Sequence, residues 1–232
     1  MRLRLTIGTL ALLTACARPP AAGPPGTATV WGHVRLVPRA DVTPGHADAT
    51  PYAERRLRDV TYVDYGRPGF AVVYLDGQPA PGGTARLAIE ASLLAPHLVP
   101  AHAAVGVGGT AVVRNADFAA HTITCPEAKL LRRLAPGEEV AIAVGSPGPW
   151  TIFLLDARGD EAIVFAAPGP YAVVGEDGRW ELHGVDPGRS TVHAWHPRFP
   201  PAERTIDVVA GAVQEVDLAL GVGNLALHEP SR

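Results

Sequence analysis

Short apolar runs with a period of two, each closed by Gly, Pro, Asp or Asn, constrain this chain more than any other feature. They read as strands at 27–37 (TATVWGHVRLV), 70–77 (FAVVYLDG), 84–91, 109–116 (GTAVVRNA), 138–144, 150–156 (WTIFLLD) and 161–167 (EAIVFAA). The pattern continues at 171–178, 179–185 (RWELHGV), 190–196 (STVHAWH), 204–211 and 213–220 (VQEVDLAL). Alternating β-branched or aromatic runs bounded by turn residues are the signature of half-buried strands. Many such strands at short spacing point to a sandwich or barrel, and 23 prolines work against long helices. The chain is expected to be all-β. Only PEAKLLRRL (126–134) reads as a helical turn or two, and 40–59 lacks a strand period.

The N-terminus has a different character. Arg2 and Arg4 precede an apolar stretch from Leu5 to Ala15, too short for a bilayer span, which needs roughly 20 residues. A positive start followed by a short apolar segment is a secretory signal, here 1–15. Its end, LTAC, resembles a bacterial lipobox, which implies acylation of Cys16 and attachment to the membrane through lipid. A Pro/Gly/Ala tether, 16–26, would then hold the folded part off the bilayer. Ala rather than Asp at position 17 resembles lipoproteins sorted to the outer membrane. The expected location is therefore the bacterial cell envelope, facing the periplasm or the cell surface.

Loss of Arg2 and Arg4 leaves 18 of the 20 basic residues against 23 acidic ones, a net charge of −5. With no Lys/Arg block remaining, a nucleic-acid partner is not expected. With Cys16 acylated, Cys125 has no intramolecular disulfide partner, so apolar burial must carry the fold. The full sequence is 47% apolar, enough to supply it.

Two stretches resemble known families. In 84–167, a Gly turn leads to a strand ending in N-A-D (115–117), then His121, an L-A-P-G-E turn (134–138), a strand, and S-P-G (146–148) before another strand. This order resembles the plastocyanin-like cupredoxins of bacterial envelopes, a Greek-key sandwich fold. In 168–222, the D-G-R-W hairpin, the V-D-P-G turn and the final V-D-L-A-L strand resemble the carboxypeptidase regulatory-like, or prealbumin-like, β-sandwich. That family also has an opening G-x-V strand and a V-x-L strand, which 27–77 supplies upstream. The expected organisation is a cupredoxin-like domain inserted into, or followed by, a regulatory-like sandwich, with a tail at 223–232.

The first resemblance raises copper. Blue copper sites use two His, a Cys thiolate and usually a weak axial Met. The resemblance implies His121 as the first ligand and places the others after the P-G-W strand. There the chain has Leu154 near the expected Cys, Asp156 near the second His and Gly159 near the Met. Cys125 is on the wrong side, beside His121, and Met1 is lost with the signal. The copper set reads as degenerate and no cofactor is expected. A lesser alternative pairs His121 and Cys125 with His97 or His102 in an irregular metal site. Another makes Cys125 a reactive or intermolecularly bonded thiol, and a third leaves it packed as a small apolar residue with His121 hydrogen-bonded in its loop.

The remaining motifs carry less. His193 and His196 lie three apart on a strand and point to opposite faces. GVGGT (106–110) precedes a strand rather than a helix, so it lacks the amides that hold phosphate. The serines of the mature chain, Ser92, Ser146, Ser190 and Ser231, lack a nucleophile-elbow context, and no zinc-protease motif is present. The expectation is a non-enzymatic, lipid-anchored binding or scaffold protein with a protein or glycan partner in the envelope. The alternative is a metal-binding cupredoxin in electron transfer or copper handling.

Overall fold

The computed structural model describes residues 19–38, 63–157 and 160–221. It is all-β, built as two sandwiches. Strands β1 (Ala28–Leu36) and β2 (Val72–Leu75) come first. They are followed by β3 (Thr84–Glu90), β4 (His97–Val99), β5 (His102–Gly106), β6 (Thr110–Asn115), β7 (His121–Cys125), β8 (Leu130–Leu134), β9 (Glu139–Ala143), β10 (Gly148–Leu154) and β11 (Glu161–Ala167). The chain closes with β12 (Tyr171–Val173), β13 (Arg179–Val185), β14 (Gly188–His196), β15 (Phe199–Val208), β16 (Val213–Glu215) and β17 (Leu218–Leu220).

Pairing follows the burial pattern rather than chain order. One sandwich sets the sheet β13-β1-β16, with β17 also on β1, against the sheet β12-β2-β14-β15. The other sets β4-β3-β6-β9 against β5-β11-β10-β7-β8. The chain leaves the first sandwich after β2, completes the second with β3 to β11, and returns as β12, which pairs with β2 at Tyr171↔Tyr74. Each sandwich buries its own core. In the first, Val30, Val34, Leu75, Trp180 and Leu220 pack together; in the second, Ile89, Ile123, Ile152, Leu154 and Val164 do.

The alternation on β1 shows why its sheet forms. Val30, Val34 and Leu36 point inward, while Trp31, His33 and Arg35 occupy the other face. Gly32 stands where the next inward side chain would be, because the Val216 backbone crosses there. A Cβ on Gly32 would lie 2.0 Å from the Val216 carbonyl oxygen. At this point the parallel partner of β1 changes from β16 to β17.

One segment departs from its sequence pattern. Only Pro126–Ala128 makes a helical turn, of 3-10 type; Leu130–Leu134 is an edge strand paired antiparallel with β7. Lys129, with φ at +51°, turns the chain between them. The arginines that favour a helical reading, Arg132 and Arg133, are exposed on this edge. Charge there guards unpaired backbone against further strand addition.

The two sandwiches meet at an aromatic seam. Phe165 of β11 stacks on Trp195 of β14 with centroids 4.4 Å apart, and Tyr74 lies 5.7 Å from Phe165. Phe70 contacts Trp195 edge-on and stacks on His102 at 5.2 Å. Such pairs each add about 1 kcal/mol beyond their buried area.

Candidate functional site

His121 opens β7 at the end of the second sandwich where β3, β6 and β10 finish and β11 begins. The turn ahead of it is built by Asn115, which is fully buried. Its Nδ2 donates to the carbonyls of Ala119 and Leu134 at 2.7 and 3.0 Å, and its Oδ1 accepts the Asp117 N–H at 3.0 Å. Asx side chains shape such turns by satisfying nearby backbone. The result fixes Asp117 against His121, whose Nε2 lies 2.8 Å from Asp117 Oδ2. On the other side Nδ1 lies 3.2 Å from Asp156 Oδ2, which also accepts the Thr122 N–H at 2.7 Å. Both His121 and Asp117 are buried, while Asp156 is exposed. The hydrogen bond from His121 is the main reason the Asp117 carboxyl is held below the ordinary carboxylate range.

This arrangement does not fit the blue-copper donor set. A metal needs a free lone pair on an imidazole nitrogen, and a carboxylate faces each nitrogen of His121. Leu154 is buried in the core, pairs in register with Ile123, and has no donor atom. Asp156 engages His121 itself. Gly159 lies outside the described residues, as does Cys16.

The lesser metal alternative fails on strand geometry. His121 and Cys125 are both inward on β7, but four residues of strand separate their Cα atoms by about 13 Å. Cys125 is fully buried, its thiol 3.5 Å from Glu127 Oε2. Burial pushes its pKa up to about 11, so it stays a protonated thiol and a poor nucleophile or ligand. His102 is turned to the seam, and His97, opposite Glu90 on β3, has a buried Nδ1 without a hydrogen-bond partner. Among the described residues no group of three metal-ligating side chains forms around His121.

Two further histidines, His193 and His196, are held by partners of their own. His193 lies 2.6 Å from Asp76 Oδ2 and stacks on Tyr74 at 4.9 Å. His196 is buried against Phe199, with centroids 5.0 Å apart, Nε2 donating to the Pro68 carbonyl at 3.1 Å and Nδ1 accepting the Arg198 N–H at 3.0 Å. That pattern requires the neutral ring. Burial lowers its pKa most, with Arg198 and His102 adding repulsion against the Pro68 bond; burial also lowers that of His102. A histidine depressed in the fold gives stability that is complete above its unfolded value near 6.5 and is lost as pH falls through the folded value. Urea denaturation should therefore show stability declining from pH 7 to pH 5. The decline should be shallower in His196→Gln, and equal slopes would remove His196 as its source.

No family model matches the chain, and no curated protein matches it. Solved structures similar to part of it include a purple cupredoxin from Nitrosopumilus maritimus. The match has 16% identity, covers 36% of this chain and 99% of that one, and has a TM-score of 0.31. Another is the dithionite-reduced auracyanin from the photosynthetic bacterium Roseiflexus castenholzii, at 16% identity, 38% and 99% coverage, and a TM-score of 0.29.

The group reached least by sequence reasoning is Asp117. It sits four residues before His121 in NADFAAH, and its Asx-turn spacing was the available signal.

Proposed function

We propose that this chain is a lipid-anchored envelope protein that works by binding a partner protein or glycan. In this reading the second sandwich is a cupredoxin-like domain whose copper set has been replaced. The reading rests on one place, the His121 end of that sandwich. There the imidazole that would hold a metal is closed by Asp117 and Asp156, while apolar side chains are turned outward around it. Phe118, Leu93 and Leu94 are almost fully exposed, and Leu155 is about half exposed. They lie on the loops after β6, β3 and β10, which end together. A cluster of exposed apolar side chains marks a contact surface more often than a scattered few do.

Copper addition to the purified mature chain tests the reading. We expect no intense band near ~600 nm, which a Cys thiolate on Cu(II) would give, and no copper retained at His121 after chelation. One equivalent surviving chelation and lost in His121→Ala would establish the metal-binding alternative. The anchor is tested separately. Cys16→Ser should move the protein from the membrane fraction to an unprocessed or soluble form, since acyl chains contribute about 0.8 kcal/mol per buried CH₂. A wild-type protein free in the periplasm with an unmodified N-terminus would end the lipoprotein reading.

A further inference from the structure

The outward face of β1 carries a second cluster, remote in sequence from the His121 loop. His33, Glu215 and Asp217 place one ligand atom each within 4.8 Å of one another. Their convergence follows from the partner change along β1. Trp31 pairs with Glu215 on β16, and pairing resumes at Val34 with Leu218 on β17. Between them the chain dips inward, burying Val216, whose N–H donates to the Trp31 carbonyl at 2.7 Å. The His33 N–H takes the Asp217 side chain as acceptor, with Oδ1 at 2.9 Å. This bond fixes the Asp217 carboxylate beside the His33 ring, and Nδ1 lies 3.5 Å from the same oxygen. Trp31 packs edge-on against His33, with centroids 5.9 Å apart, and limits where the ring can turn.

We propose that His33, Glu215 and Asp217 form a binding site for a divalent transition-metal cation of the zinc class. One imidazole nitrogen and two carboxylates are a mixed N/O donor set, which suits zinc and its neighbours and is a poor match for magnesium. Donor atoms about 2.1 Å from a zinc ion stand about 3.4 Å apart when their bonds meet near the tetrahedral angle. The 3.5 Å already between His33 and Asp217 is close to that spacing. Glu215 is exposed and closes the remaining gap by a rotamer change. The cluster lines an open cleft of about 590 Å³ with Asp177 and Tyr65, leaving room for water to complete the coordination. Among the described residues the competitor is Arg35, whose guanidinium lies 3.8 Å from Asp217 Oδ2. It is largely exposed and can swing into solvent, so its presence weakens the site without blocking it.

The site is independent of the envelope reading and bears on its test, because copper bound here would imitate a His121 site in a metal count. Zinc chloride titrated into the purified mature chain by calorimetry should show one saturable equivalent, with the His33 ring resonances shifting in parallel. Binding should be lost in His33→Ala and in Asp217→Asn, weakened in Glu215→Gln, and unchanged in His121→Ala. The metal-free unfolding midpoint checks that each variant is folded; Glu215→Gln, on an exposed side chain, serves if His33→Ala is not. Absence of saturable binding, or binding that survives in a folded His33→Ala or Asp217→Asn variant, overturns the assignment.

Discussion

Gly32→Ala should cost the first sandwich about 3 kcal/mol or more, a large share of the 5–15 kcal/mol that holds a typical domain folded. The added methyl carbon would lie 2.0 Å from the Val216 carbonyl oxygen and 2.6 Å from its carbonyl carbon. Both are backbone atoms, so a rotamer change gives no relief. The Val216 backbone cannot retreat either, because its N–H is bonded to Trp31 and its side chain is packed in the core with Leu218 and Leu220. The strain must push β16 and β17 away from β1. Gly82→Ala is the control, since a Cβ there meets nothing within 4 Å. Urea denaturation should show a much lower midpoint for the first variant and a nearly unchanged one for the second. Equal midpoints would mean that the β1 crossing is looser than described. The same variant should also disturb the His33 cluster, which depends on that crossing.

The strand content was legible because burial on one face of a sheet writes a period of two into the sequence. Most runs named from that period are strands. The pattern was weakest at β8, where exposed arginines on an edge strand resemble the polar face of a helix. Pairing is a different kind of information. Nothing local in TVWGHVRLV says that it lies parallel to VQE and LAL at the other end of the chain, because that choice depends on how the whole core closes. The His33 cluster is hidden for the same reason, as its members are distant in sequence. Around His121 the local signal was stronger. Asp156 is its neighbour, and Leu154 fills core rather than offering a ligand. Asp117 is not legible in the same way, because N-A-D reads as the end of a strand and nothing local assigns its side chains partners.

The second carboxylate, Asp117, changes the expected cost of His121→Ala. A ring held by one hydrogen bond in its loop would be worth about 1 kcal/mol. With the ring buried between two carboxylates, the expected loss is about 3 kcal/mol, as for a broken buried pair. The two acids respond differently. Asp156 is exposed and keeps the Thr122 N–H, so it can turn its second oxygen to water. Asp117 is buried and, once the ring is gone, keeps only backbone N–H partners, Phe118 at 2.6 Å and Ala119, with no charge to balance it. Asp117→Asn in the same chain should consequently recover part of the loss, making the double variant less destabilised than the sum of the singles. The pH dependence identifies the carboxylate. A carboxyl depressed in the fold gives stability that is present above its unfolded value near 3.9 and is lost as pH falls through the lower folded value. The gap between wild type and His121→Ala should then be full at pH 7 and narrow below about pH 4. A gap of 1 kcal/mol or less at pH 7, or one that does not narrow in acid, would mean that Asp117 and His121 touch without depending on each other.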